Sequence, residues 1–180
     1  RTCTTLSVTV PQATAAGSWP VTVKNPAPAG CSSAPAVGFV VVPPPSLGSV
    51  LPDLICAAQG PRGLTATGTG FLTVNGVAPT LTLAQGAVTL TLSTTGSNCT
   101  SITGVLETVE SCTTLTATLP QSGLAPGAYA ATVTNPAPAG CTSTGTVGHS
   151  ASTAVACQNC ADGLTSITVP PQCVRPRSSL

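Results

Sequence analysis

At 180 residues the chain can form one large domain or two small ones, and it carries only five basic and four acidic residues, for a net charge of +1. So few cations, scattered at Arg1, Lys24, Arg62, Arg175 and Arg177, make no basic patch for a phosphate backbone, and no nucleic-acid partner is expected. A net charge near zero favours association, so either the chain assembles with copies of itself or glycans on Asn, Ser and Thr hydrate its surface. No apolar run approaches the length of a membrane span. Nine cysteines beside a single His point to an oxidising, extracellular or cell-surface location and to disulfides rather than a metal site. The chain opens mid-pattern on Arg1, as expected of a processed secreted protein.

Thr alternates with Val, Leu and Ala along most of the sequence, which is strand composition. Residues 1–42 begin Cys3-Thr-Thr-Leu-Ser-Val-Thr-Val-Pro-Gln, continue Gly17-Ser-Trp-Pro-Val-Thr-Val-Lys and reach the phrase Asn-Pro-Ala-Pro-Ala-Gly-Cys at 25–31. Pro43, Pro44 and Pro45 follow as a stiff spacer. Strands are then expected over 47–51, 64–71, 81–83, 88–92 and 102–109, with turns at Asn75-Gly76, Gln85-Gly86 and Gly96-Ser97. From Cys112 the opening pattern returns as Cys-Thr-Thr-Leu-Thr-Ala-Thr-Leu-Pro-Gln, followed by Gly127-Ala-Tyr-Ala-Ala-Thr-Val-Thr and the same phrase at 135–141. Val37-Gly38 matches Val147-Gly148. Residues 46–148 therefore form a complete domain, residues 1–42 the late half of another, and residues 149–180 a Cys-rich tail. In that tail Gly163-Leu-Thr-Ser-Ile-Thr-Val resembles Gly63-Leu-Thr-Ala-Thr-Gly-Thr, one early strand without its second half.

The complete region resembles the IPT/TIG class of Ig-like domains. The matching pieces are Pro45-Ser-Leu-Gly-Ser-Val-Leu-Pro, Gly68-Thr-Gly-Phe, Val74-Asn-Gly and Leu124-Ala-Pro-Gly-Ala-Tyr-Ala-Ala-Thr-Val-Thr-Asn, in that order. The resemblance implies an all-β fold of tandem, disulfide-stapled Ig-like sandwiches with incomplete terminal halves, used for spacing, adhesion or assembly rather than catalysis. The cysteine density and the tail depart from ordinary members of the class.

The simplest disulfide scheme pairs Cys3 with Cys31, Cys112 with Cys141 and Cys56 with Cys99, leaving Cys157, Cys160 and Cys173, of which one is free or bonded to another chain. Cys157-Gln-Asn-Cys160 lacks the helical context of a redox motif and reads as structural. His149 stands at a strand position without a triad, and Glu107 and Glu110 point to different faces, so no enzyme, metal or cofactor is expected. Asn98-Cys-Thr100 fits the N-glycosylation sequon in a turn. The prolines at 43–45 and the Ala-Pro pairs resemble hydroxyproline O-glycosylation sites. Trp19 and Tyr129 hold matching repeat positions, which favours corner packing over sugar stacking.

A half sandwich exposes an apolar face and unpaired strand edges. The tail segment around Leu164, Ile167 and Val169 is the expected assembly strand, entering the N-terminal half of the next copy. Such a contact does not close, so it builds a fibre. The chain is similar in this to subunits of glycosylated extracellular fibrils, and a carbohydrate matrix is a further expected partner. The alternative expectation is an adhesion or carbohydrate-binding module of a longer tandem-repeat protein, its halves completed within one chain.

Overall fold

The computed structural model describes residues 4–11, 13–34, 36–56, 61–120, 124–143 and 147–152. Every regular element among them is a strand. They are β1 (Gly17–Val21), β2 (Val37–Val41), β3 (Ser46–Leu51), β4 (Leu54–Cys56), β5 (Arg62–Val74), β6 (Thr80–Gln85), β7 (Val88–Ile102), β8 (Val109–Leu119), β9 (Gly127–Thr134) and β10 (Val147–Ser152). The expected all-β class therefore holds. No helix is long and apolar enough to cross a membrane among these residues.

β1 and β2 form a separate antiparallel hairpin, and the other eight strands form one sheet in the order β3-β5-β8-β7-β6-β9-β10-β4. That sheet folds over on itself because β7 serves two layers. Its first part pairs with β6, up to Ser93, and its second part pairs with β8, from Thr94. The two edges are consecutive in the chain: β3 pairs antiparallel with β5, and two residues later β4 pairs parallel with β10. One run of chain thus crosses between the layers and nearly closes the sheet into a barrel.

Alternation decides which face goes inward. Leu64 and Ala66 of β5, Leu81 and Leu83 of β6, Leu115, Ala117 and Leu119 of β8, and Tyr129, Ala131 and Val133 of β9 all enter one core. The opposite faces carry hydroxyls in register: Thr65 beside Thr116 beside Thr95, Thr67 beside Thr114 beside Ser97, and Thr91 beside Thr82 beside Thr132. β5 shifts register between Thr67 and Phe71, where Gly70 takes φ +70° and Phe71 turns fully into the core. Gly68 allows this bend, because a Cβ there would strike the Ser46 carbonyl and the Phe71 ring.

Two of the three expected turns form. Asn75-Gly76 is a two-residue hairpin with φ of 49° and 80°, closed by Val74 and Val77 bonding each other's backbones at 2.9 Å. Gly86-Ala87 closes β6 onto β7, with Gln85 opposite Val88. The third does not form: β7 runs straight through Gly96-Ser97, and the chain turns instead at 103–108, inside the stretch expected as a strand over 102–109. Gly96 is small for a packing reason, since a Cβ there would lie 2.8 Å from the Cys112 sulfur. Pro45, expected in the spacer, is buried in the domain, and β10 carries the sheet to Ser152, past the expected boundary at 148.

Candidate assembly surface

The hairpin and the loop of the two repeat copies fold alike, but residues 4–10, which match β8 in sequence, form no strand. Trp19 pairs with Phe39 across β1 and β2, as Tyr129 pairs with His149 across β9 and β10. The Trp19 indole N–H donates to the Ala15 carbonyl at 3.1 Å, and the Tyr129 hydroxyl donates to the Ala125 carbonyl at 2.9 Å, each four residues back. Tyr129 therefore packs as the corner residue its repeat position implied.

The phrase at 25–31 and 135–141 makes the same loop twice. Asn25 N–H donates to the Cys31 carbonyl at 2.8 Å and Asn135 N–H to the Cys141 carbonyl at 2.9 Å. Ser33 and Ser143 each donate from the backbone at 2.8 Å, to Val23 and Val133 respectively, and each hydroxyl accepts the N–H returned by that valine.

Coverage separates the copies. Tyr129 is 2% exposed and Trp19 46%. Leu115 is 1% exposed and Leu6 65%; Ala117 is 8% and Val8 86%. Ala131 and Val133 are buried, while their counterparts Val21 and Val23 are exposed. In the complete domain these side chains are covered by β3, β5, β6 and β7, and residues 1–42 have no counterpart of those strands. The N-terminal copy therefore leaves in contact with solvent the positions that are core in the second copy.

The Asn of the phrase, read from sequence only as the end of a strand, has a binding role. Asn135 is 2% exposed; its Oδ1 accepts the Leu72 N–H at 3.0 Å and its Nδ2 donates to the Gly70 carbonyl at 2.9 Å. It thus holds β5 at its bend by the backbone. Asn25 is exposed, and its carboxamide makes no hydrogen bond among the described residues. The signal in the sequence was an Asn fixed before Pro in both copies.

The cysteines depart from the expected scheme. Cys99 bonds Cys112, across directly opposed positions of β7 and β8. This replaces both Cys112 with Cys141 and Cys56 with Cys99. Cys31 and Cys141 are unpaired; each thiol turns back to the carbonyl two residues earlier, at 3.2 Å. The phrase is thus held by backbone bonds, and its Cys is no disulfide anchor in either copy, so the expected bond from Cys3 to Cys31 does not form either. Non-reducing peptide mapping should recover Cys99 linked to Cys112, and Cys99→Ser should lower stability by about 3 kcal/mol through the lost cross-link. Recovery of Cys112 on Cys141 would contradict the fold's register.

Asn98 lies inside β7 rather than in a turn, with φ 54°, exposed, its Nδ2 donating to Thr114 Oγ1 at 3.2 Å beside the bonded Cys99. Glu107 is exposed in the loop before β8 and Glu110 half-buried in β8. His149 stands in β10 opposite Tyr129. No group of three or more His, Cys, Asp or Glu side chains that could hold a metal occurs among the described residues. An apolar cleft of about 530 Å³ lies where the hairpin meets the end of the complete domain, lined by Val10, Phe39, Val41, Leu72, Val105 and Leu106 among others. Cys3, Cys157, Cys160, Cys173, Leu164, Ile167 and Val169 lie outside the described residues. No protein-family model, curated protein or solved structure matches the chain.

Proposed function

We propose that this chain is a non-enzymatic structural subunit of an extracellular, glycosylated filament, assembling head to tail as the N-terminal half sandwich of one copy receives a terminal segment of the next. The observation that carries this is the pairing of exposures: the positions that are core in the second copy are surface in the first. An uncovered half core costs about 25 cal/mol for each Å² of apolar surface left in water, so a completing strand is strongly favoured. One copy offers one such face, and the donor is at the other end of the chain, so the contact propagates instead of closing.

The strand order supports placing the complete domain in the Ig-like, IPT/TIG-type class: two layers, an early strand that switches edges, and a Tyr corner in the penultimate strand. The in-register Thr and Ser faces supply hydroxyls for O-glycans, and such glycans would hydrate a surface almost without charge. The Cys99–Cys112 bond favours an oxidising compartment.

Deleting residues 160–180 should leave monomers by light scattering where the full chain gives polymers. A truncated chain that still polymerises would overturn assembly through the tail.

A further inference from the structure

The three residues Asn98, Cys99 and Thr100 are all engaged in the folded domain. Asn98 lies within β7 between two paired positions, Ser97 opposite Thr114 and Cys99 opposite Cys112. Its Nδ2, the atom that would carry an N-glycan, donates to Thr114 Oγ1 at 3.2 Å. Cys99 is bonded to Cys112. The Thr100 hydroxyl donates to the Ser111 carbonyl at 3.4 Å. Every one of these contacts runs to the same short stretch of β8.

Transfer of a glycan asks for the opposite state. The carboxamide nitrogen must be free to attack, and the Thr hydroxyl two residues on must be free for the enzyme to hold, which is why acceptors belong on detached surface loops. A sequon inside a strand paired over 94–102, with a disulfide at its middle residue, meets neither condition. The folded domain still tolerates the product. Asn98 is exposed, and its φ of 54° is a conformation that Asn adopts more readily than most residues. A glycosylated carboxamide keeps one of its two N–H groups, enough for the bond to Thr114. Asn98 is thus blocked as a substrate and accepted as a product, so its modification has to come before β7 closes on β8.

The disulfide sets how long that interval lasts. Cys99 and Cys112 are consecutive cysteines, 13 residues apart. At about 5–20 residues per second, synthesis delivers Cys112 within about 3 seconds of Cys99. Resting on the extracellular glycoprotein reading above, we propose that Asn98 is an N-glycan acceptor whose use is controlled by the Cys99–Cys112 bond: the glycan is added while Cys99 is a thiol, and closing of the bond ends the reaction. In the transfer, the Asn98 nitrogen bonds the anomeric carbon of a lipid-diphosphate-linked oligosaccharide. The lipid diphosphate leaves with the electron pair, and the nitrogen gives up one proton. In the competing step both thiols lose their hydrogens, one sulfur–sulfur bond forms within the chain, and a small disulfide is reduced to two thiols. Both routes end in the same fold, so the mature protein is a mixture of chains with and without a glycan at Asn98.

The test makes the full chain in a secreting eukaryotic cell and removes N-glycans enzymatically in heavy-oxygen water, which marks each modified Asn as a heavy Asp in its peptide. Cys112→Ser leaves Asn98, Cys99 and Thr100 intact and removes the partner. Occupancy of Asn98 should be partial in the parent and near-complete in Cys112→Ser. A membrane-permeant reductant present during synthesis should raise the parent to the level of the variant and leave the variant where it was. Because transfer precedes folding, these readings hold whether or not Cys112→Ser folds. Thr100→Ala should carry no mark at Asn98. Equal occupancy in the parent and Cys112→Ser, at any level, overturns the proposal, as does a reductant that raises both alike. Sugar analysis of the native chain separates this from the reading on which it rests. Glycans at other positions leave that reading standing, whereas a native chain without any sugar overturns both.

Discussion

Tyr129→Ala should cost about 3–5 kcal/mol of stability, while Trp19→Ala, at the matching position of the other copy, should cost less than about 1 kcal/mol. The two side chains make the same corner hydrogen bond, to Ala125 and to Ala15. They differ in what lies over the ring. Tyr129 is among the largest fully buried side chains of a core shared by both layers, and its removal leaves a cavity that strands on either side cannot fill without losing register. Trp19 loses contacts on one side only. Urea unfolding of the chain lacking residues 160–180 measures both effects without the complication of assembly. The midpoint of Tyr129→Ala should fall by at least about 1 M, given slopes of about 1–3 kcal/mol per M. Equal losses at the two positions would show that the N-terminal copy is already covered within a single chain.

How far this contrast was legible in the sequence follows from what each signal measures. Alternation located β3, β5 and β6 to within a few residues, because a sheet with one buried face imposes a period of two. Alignment of the repeated phrases showed that residues 1–42 repeat residues 112–148. Alternation misplaced the turn between β7 and β8, since Gly96-Ser97 carries turn composition for another reason: the sulfur of Cys112 occupies the space a side chain would take. The disulfide scheme failed for a related cause. Bracketing each half copy with its own pair set a boundary between Cys99 and Cys112, which are consecutive cysteines and meet through the register of two long antiparallel strands. Asn135 was invisible as a binding residue because its partners, Leu72 and Gly70, are backbone groups far away in sequence. A side chain that recognises backbone leaves no complementary residue type to find. The uncovered face was legible, because one copy carried its covering strands and the other did not.

Asn135→Ala is the second substitution with a large expected effect, about 3 kcal/mol or more. It leaves the Leu72 N–H and the Gly70 carbonyl without their partner at the bend of β5, in a part of the domain that water does not reach freely, and each such loss costs about 1–3 kcal/mol. The alanine cannot be rescued by the loop itself, whose remaining backbone bonds, donated by residue 135 to Cys141, by Gly140 to Pro136 and by Ser143 to Val133, do not touch β5. Asn135→Asp separates the two halves of the clamp: a carboxylate still accepts from Leu72 but cannot donate to Gly70, and it faces a carbonyl oxygen instead. Asp should therefore be at least as damaging as Ala at neutral pH, although it is nearly the same shape. Hydrogen exchange at the Leu72 amide gives the residue-level measure, with protection lost in the alanine variant well before the rest of β5 opens. The same pair of substitutions at Asn25 should leave the stability of the truncated monomer unchanged, since that carboxamide makes no hydrogen bond among the described residues. If Asn135→Ala proves neutral, the carboxamide does not hold β5.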